Sequence, residues 1–211
     1  MAAPFEILKP KYRAILLQHI PASTVDIVLN WIFEKNIQLK ITNHRRSKLG
    51  DYRSPINNGT HRISVNKDLN KYAFLITFLH EFAHLIVWEK YKNRVKPHGK
   101  EWKSEYNRII SLFLNEDTFP PEMIVILKQS LNNTKSSTSN NIALSRCLSN
   151  YDKSNDMVFI EKLPSSAIFM LADGRKFRKE QKLRKRYRCI CVENNRIYSF
   201  HPLAAVVLVE E

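Results

Sequence analysis

Cysteine is scarce in this sequence, long apolar runs are missing near its start, and no internal repeat links one part to another. Three cysteines, Cys147, Cys189 and Cys191, cannot all pair within the chain, and two of them are only one residue apart. That argues against a disulfide framework and for reduced thiols. The first twenty residues, MAAPFEILKPKYRAILLQHI, interrupt every short apolar stretch with a charge or a proline. Neither a secretory h-region nor a membrane span is readable there, so a cytoplasmic address with no membrane partner is expected. Glycine is rare as well, and Gly50, Gly59, Gly99 and Gly174 all fall outside the segments with regular periodicity.

What is present is an apolar fraction of 44% over 211 residues, enough for a real core in one large domain or two small ones. The formal charge is +14, from 34 basic and 20 acidic residues, and both halves share it. Such an excess favours polyanions, because each neutralised phosphate releases counterions, but it also simply keeps a protein in solution. Charge alone does not choose between these roles.

The stretch QSLNNTKSSTSNN, residues 129 to 141, has almost nothing apolar to offset its ordering entropy. A boundary is expected there, giving a first domain over 1–127, a polar linker over 128–145 and a small basic β-rich domain over 146–211. Upstream, STVDIVLNWIFEKN reads as a helix capped by Ser23 or Thr24, with Ile27, Leu29, Ile32 and Phe33 available for its buried side. IQLKIT and HRISVN alternate like strands, and the turn-rich NHRRSKLGDYRSPINNGT between them suggests an antiparallel pair with a long connection. Helical spacing then runs from Leu69 to about Tyr91 and again from near His98 to about Leu114. Beyond the linker the period shifts to two: MVFIE, AIFML, KRYRCICV, RIYSF and AVVLV suggest a small antiparallel sheet or barrel, SH3-like or OB-like. The fold class expected is α+β.

The chemistry concentrates in His80-Glu81-Phe82-Ala83-His84, inside the apolar segment LITFLHEFAHLIVW. Residues four apart share a helix face, so the two imidazoles can converge on one ion, and zinc suits nitrogen ligands. Glu81 flanks the metal, where its carboxylate could take a proton from a water on it. The bland alternative is a structural pair of core histidines, which would bury polar groups without partners at about 1–3 kcal/mol each. A catalytic zinc needs a third protein ligand and an open fourth position. His98, in Lys96-Pro97-His98-Gly99, sits at the head of the next helix, which could fold back over the first; Glu101 and Glu105 are rivals for the same place. The metzincin pattern is excluded, because it wants Gly and His where this chain has Val87 and Lys90.

His80-Glu81-x-x-His84 followed by His98-Gly99-x-x-Trp102 resembles the SprT-like family of zincin metalloproteases, which includes the Spartan proteases. The resemblance covers about residues 20 to 115. It implies a zincin-like metalloprotease domain, Zn2+ on His80, His84 and His98, and a catalytic Glu81. It also implies cleavage of proteins attached to DNA, as in DNA-protein crosslink repair, with DNA licensing proteolysis. The cysteine-paired zinc ribbon that follows many such domains has no counterpart here. A second zinc on Cys147, Cys189, Cys191 and His201 is conceivable by ligand type, but Cys189 and Cys191 in a strand simply share a face as small apolar residues.

The expected activity is that of a zinc-dependent endopeptidase acting on a protein substrate. His61 to Asn66 is either an exposed edge that receives an extended substrate or an ordinary covered strand. Arg175 to Arg188, RKFRKEQKLRKRYR, interleaves Phe177 and Tyr187 with nine basic residues and one acid. It reads either as a contact for DNA or another nucleic acid or as a solvated hairpin. The competing function is a nucleic-acid-binding adaptor with a zincin fold and no peptidase turnover. Tyr106 and Arg62 are the candidates for stabilising an oxyanion.

Overall fold

The computed structural model describes residues 4–45, 47–56, 59–132, 142–152 and 157–209, which form two compact units, Met1–Asp152 and Lys153–Glu211. In the first, helices α1 (Pro4–His19) and α2 (Val25–Glu34) precede strands β1 (Ile37–Thr42), β2 (Gly50–Arg53) and β3 (His61–Asn66). Helices α3 (Lys71–Tyr91), α4 (Lys100–Ser111), α5 (Pro121–Asn132) and α6 (Ile142–Ser149) follow.

α3 is the axis of this unit. Its sequence is apolar nearly all round, and residues from Phe74 through Leu79 are buried together, as a helix must be when it crosses a core. Asn70 caps it, accepting from the backbone N–H of Tyr72 and Ala73 at 3.1 and 3.0 Å. α2 lies alongside, with Trp31 stacked on Phe82 at 4.5 Å. Its buried face is Val25, Val28, Leu29 and Ile32, while Ile27, expected inside, is exposed. Thr24 occupies the N-cap but its hydroxyl bonds the Pro21 carbonyl rather than the helix.

The sheet order is β1-β3-β2, so β3 is the central strand and cannot be the exposed edge that receives a substrate. β1 runs parallel to β3, pairing Ile37 with His61, not antiparallel as the sequence suggested. The antiparallel partner is β2, which pairs Tyr52 with Ile63 and emerges from the segment read as turns. A long return connection allows the parallel pairing, and β2 takes the opposite side of β3. His61, Ile63 and Val65 point to the core, while Arg62 is exposed on the opposite face.

Asn66 fixes the approach to β2. Fully buried, it donates to the carbonyls of Arg45 and Lys48 at 3.2 and 3.1 Å and accepts from Arg45 Nε at 2.8 Å. Asn66→Leu leaves these groups unpaired and is expected to destabilise the first unit by about 2–3 kcal/mol. Urea unfolding followed by tryptophan fluorescence measures it, since Trp31, Trp88 and Trp102 all belong to that unit.

The first unit extends past the expected linker. Residues 133–141, the heart of that linker, lie outside the described residues, but α6 beyond them buries Leu144 and Cys147 in the first core. Asn70 Nδ2 bonds the Leu148 carbonyl at 2.9 Å, tying the end of α6 to the start of α3. The division therefore falls at Asp152/Lys153.

The second unit is one six-stranded antiparallel sheet. Its strands are β4 (Met157–Phe159), β5 (Ile168–Met170), β6 (Lys176–Lys182), β7 (Tyr187–Cys191), β8 (Ile197–Phe200) and β9 (Ala205–Leu208). Their order is β4-β9-β5-β6-β7-β8, and among the described residues the end strands β4 and β8 do not pair with each other. β6 comes from the basic run. Its pattern is disguised because an inward position is held by Lys179, whose ammonium bonds the Leu163 carbonyl and lies 4.5 Å from the Tyr187 ring centre. Phe177 and Tyr187 are likewise turned into the core, where neither can stack on a base. The whole chain is mixed α+β, and among the described residues no helix is long and apolar enough to cross a membrane.

Candidate metal centre

α3 carries His80 and His84 on one side, a helical turn apart, so their rings sit 5.1 Å from centre to centre. α3 stops at Lys92 and the chain doubles back, reaching His98 with a left-handed backbone of φ 57°. A non-glycine residue there is uncommon, and such conformations gather where geometry is over-determined. Gly99 then caps α4, and a Cβ on it would stand 2.9 Å from the Lys96 carbonyl oxygen. This tight corner delivers the His98 ring to the other two. His98 Nε2 lies 3.0 Å from both His80 Nε2 and His84 Nε2. Trp102, in the first turn of α4, packs against all three rings with centres 4.6 to 5.3 Å away and stacks on Tyr106 behind.

The electrostatics suit a cation. Burial, with the neighbouring imidazoles, pushes His80 down to about 3; burial and His98 push His84 down to about 4. Burial also lowers His98. All three are therefore neutral at physiological pH, and a neutral imidazole has only one N–H. The His80 and His84 nitrogens each lie 3.0 Å from that of His98, and all three ligand atoms fall within 4.8 Å of one another, so their lone pairs can meet at a common point. A tetrahedral ion with nitrogen ligands at about 2.0–2.1 Å would separate them by about 3.3 Å, close to what is found. The donor set thus fits Zn2+, and among the described residues it is the sole convergence of three metal-ligating side chains.

Glu81 is buried beside the cluster, under β2. Burial first, and the charge of Asp51 second, raise its carboxyl to about 7, while a hydrogen bond from the Tyr52 backbone N–H opposes the shift. Such a group can both accept and return a proton near neutral pH. β2 comes this close only because residue 50 is glycine. A Cβ there would lie 2.7 Å from both Glu81 Oε1 and Thr77 Cγ2. Gly50→Ala is therefore expected to displace the carboxylate and lower turnover by about tenfold or more, with metal content unchanged. Metal analysis beside steady-state kinetics checks both halves of that statement.

A family model for SprT-like proteins matches residues 23–124, the span that holds β1 to β3, α3 and α4. Residues 23–124, just under half of the chain, form a SprT-like domain. A stretch of 44 residues is 48% identical to Protein SprT of Erwinia tasmaniensis. That stretch is 20% of this chain and spans a quarter of that relative's length. No solved structure matches the chain. At the level of the family, SprT-like proteins are associated with metallopeptidase activity and with zinc.

Within this SprT-like domain the other sequence candidates take different places. Glu105 is held by Lys90 and Arg108, at 2.5 and 3.1 Å, and Glu101 lies near Lys100; neither joins the imidazole cluster. Tyr106 is buried beneath Trp102, and Arg62 sits on the opposite face of the sheet from α3. Cys147 belongs to the first core and Cys189 and Cys191 to the second, all as free thiols; among the described residues they join no second metal cluster. Gly50 and Tyr52 escaped the sequence reading. β2 is four residues long, Gly-Asp-Tyr-Arg, without a burial alternation to mark it among the turn formers around it.

Proposed function

We propose that the SprT-like domain is a zincin-like, zinc-dependent endopeptidase that hydrolyses peptide bonds within protein substrates. The observation that carries this is the meeting of His80, His84 and His98 at ring-nitrogen distance, with a buried carboxyl of raised pKa one residue from the first of them. Zinc, when bound, supplies Lewis acidity that polarises a carbonyl and lowers the pKa of water to about 7. His80, His84 and His98 would hold it, and Trp102 would keep the three rings oriented from behind. Glu81 accepts a proton from the attacking water and delivers it to the departing amine, and its burial, which favours the neutral form, assists the uptake. The Tyr52 N–H holds that carboxylate in place between the two transfers. β2, an edge strand lying over Glu81, is the main-chain ladder along which an extended substrate segment would align.

The object of cleavage is proposed to be protein associated with DNA. This rests on the exposed cations at the tip of the β6–β7 hairpin, Lys182, Arg184, Lys185 and Arg186, which can contact phosphates. The test follows cleavage of a loosely folded protein after chelation, after zinc is restored, and with or without single-stranded DNA. Chelation is expected to abolish cleavage, zinc to restore it, and DNA to stimulate it in a salt-dependent manner. Zinc-restored cleavage indifferent to DNA would leave a peptidase with another target. No cleavage under any condition would replace the peptidase with the nucleic-acid-binding adaptor.

A further inference from the structure

The second unit turns the aromatic side chains of β5 to β8 inward and exposes aliphatic ones. Phe169, Phe177 and Tyr187 lie in its core, whereas Ile197 is 60% exposed and Val192 47%. Single exposed aliphatics are ordinary on protein surfaces, but a contiguous set is not. Here the register makes them contiguous. Ile168 pairs with Arg178, Arg178 with Ile190, and Ile190 with Ile197, so one row of side chains crosses four strands on the face opposite the core. A second row sets Met170 beside Lys176, whose carbonyl accepts the Val192 N–H. Among the described residues of this unit, no helix covers that face.

The same face carries an unpaired cation. Arg188 points outward between the inward Tyr187 and Cys189, opposite Ser199. Its Nε is shut off from solvent and has no hydrogen-bond partner. With that N–H beyond the reach of water and no carboxylate against the guanidinium, the terminal Nη groups are where an incoming carboxylate or phosphate would meet Arg188. The aliphatic row decides between those two. Single-stranded nucleic acid is gripped by aromatic platforms on which bases stack, and this face offers none. Arg178 in this row is already held by Glu180 at 3.1 Å, but branched aliphatics beside Arg188 and Lys176 still match a protein segment whose apolar side chains alternate with carboxylates.

We propose that the outer face of the β5-β6-β7-β8 sheet is a docking surface for an acidic, amphipathic segment of a partner protein. The partner's apolar side chains lie along Ile190 and Ile197, and one of its carboxylates completes Arg188. This surface is separate from the imidazole cluster and does not depend on the peptidase reading.

The experiment measures fluorescence anisotropy of the full chain with three labelled probes. These are a peptide alternating leucine with glutamate, the same peptide with serine for leucine, and oligothymidylate. The leucine peptide is expected to bind saturably, and the serine version about tenfold more weakly at equal charge. Two variants map the contact without touching the core. The double substitution V192S/I197S, which leaves charge unchanged, should weaken the leucine peptide by about tenfold, and Arg188→Gln by a similar factor. Thermal unfolding of each variant, unchanged from wild type, confirms that the sheet is intact. Equal binding of the serine and leucine peptides overturns the proposal, as does absence of saturable binding. Loss of oligothymidylate binding in V192S/I197S equal to that of the peptide would reassign the face to nucleic acid.

Discussion

Glu81→Gln is expected to lower peptide hydrolysis by about 10²–10⁴-fold while zinc remains at about one ion per chain. The separation of the two readouts follows from where the carboxyl sits. It lies under Gly50 and receives the Tyr52 N–H, outside the trio of imidazoles, so its loss removes proton transfer and not a ligand. Glutamine is nearly isosteric and its amide oxygen still accepts the Tyr52 N–H, so β2 stays in place. Inductively coupled plasma analysis of metal beside initial rates of cleavage makes the comparison. Undiminished cleavage would remove Glu81 from the reaction, and loss of zinc would make it a ligand.

His98→Ala is expected to cut zinc content by more than about tenfold and peptidase activity with it, whereas Glu105→Ala leaves both near wild type. The two were rivals on sequence grounds. In the folded chain the His98 ring nitrogen is 3.0 Å from its two partners, and Glu105 is occupied by Lys90 and Arg108. Its ion pairs also hold the Glu105 carboxyl below the ordinary range despite its burial. Because His98 is on the exposed side of the cluster, its removal leaves the core of α3 intact. The circular-dichroism spectrum should therefore match wild type, and restored metal content on adding excess zinc would report weakened affinity rather than lost fold. Full zinc occupancy in His98→Ala would mean that the third ligand lies elsewhere.

The site's separate parts differ in how they could be read. His80 and His84 share a face by the 3.6-residue period alone, and the helix that carries them is legible from its apolar content. β1, β3 and α4 follow the same short-range rules, with boundaries shifted by a few residues. α5 and α6 were not legible: one runs into a polar stretch and the other follows it, and only the burial of Met123, Leu127, Leu144 and Cys147 against the first core accounts for them. β6 was hidden for a different reason. Lys179 in an inward position breaks the alternation by which a strand is recognised, and it is tolerated because Leu163 and Tyr187 meet its ammonium.

What the sequence by itself determined is local: two imidazoles and a carboxyl on one helical turn, a His-Gly corner before the next helix, and a change of period between the two parts of the chain. Helical geometry and backbone sterics act over a few residues, so these can be read without a fold. Tertiary structure brought His98, the sequence's first choice over Glu105, to the pair, and it alone decided that β3 is central with β1 parallel to it and that Gly50 brings β2 down onto Glu81. Those outcomes depend on contacts between segments distant in sequence. Packing and burial select among alternatives there that local periodicity leaves equal.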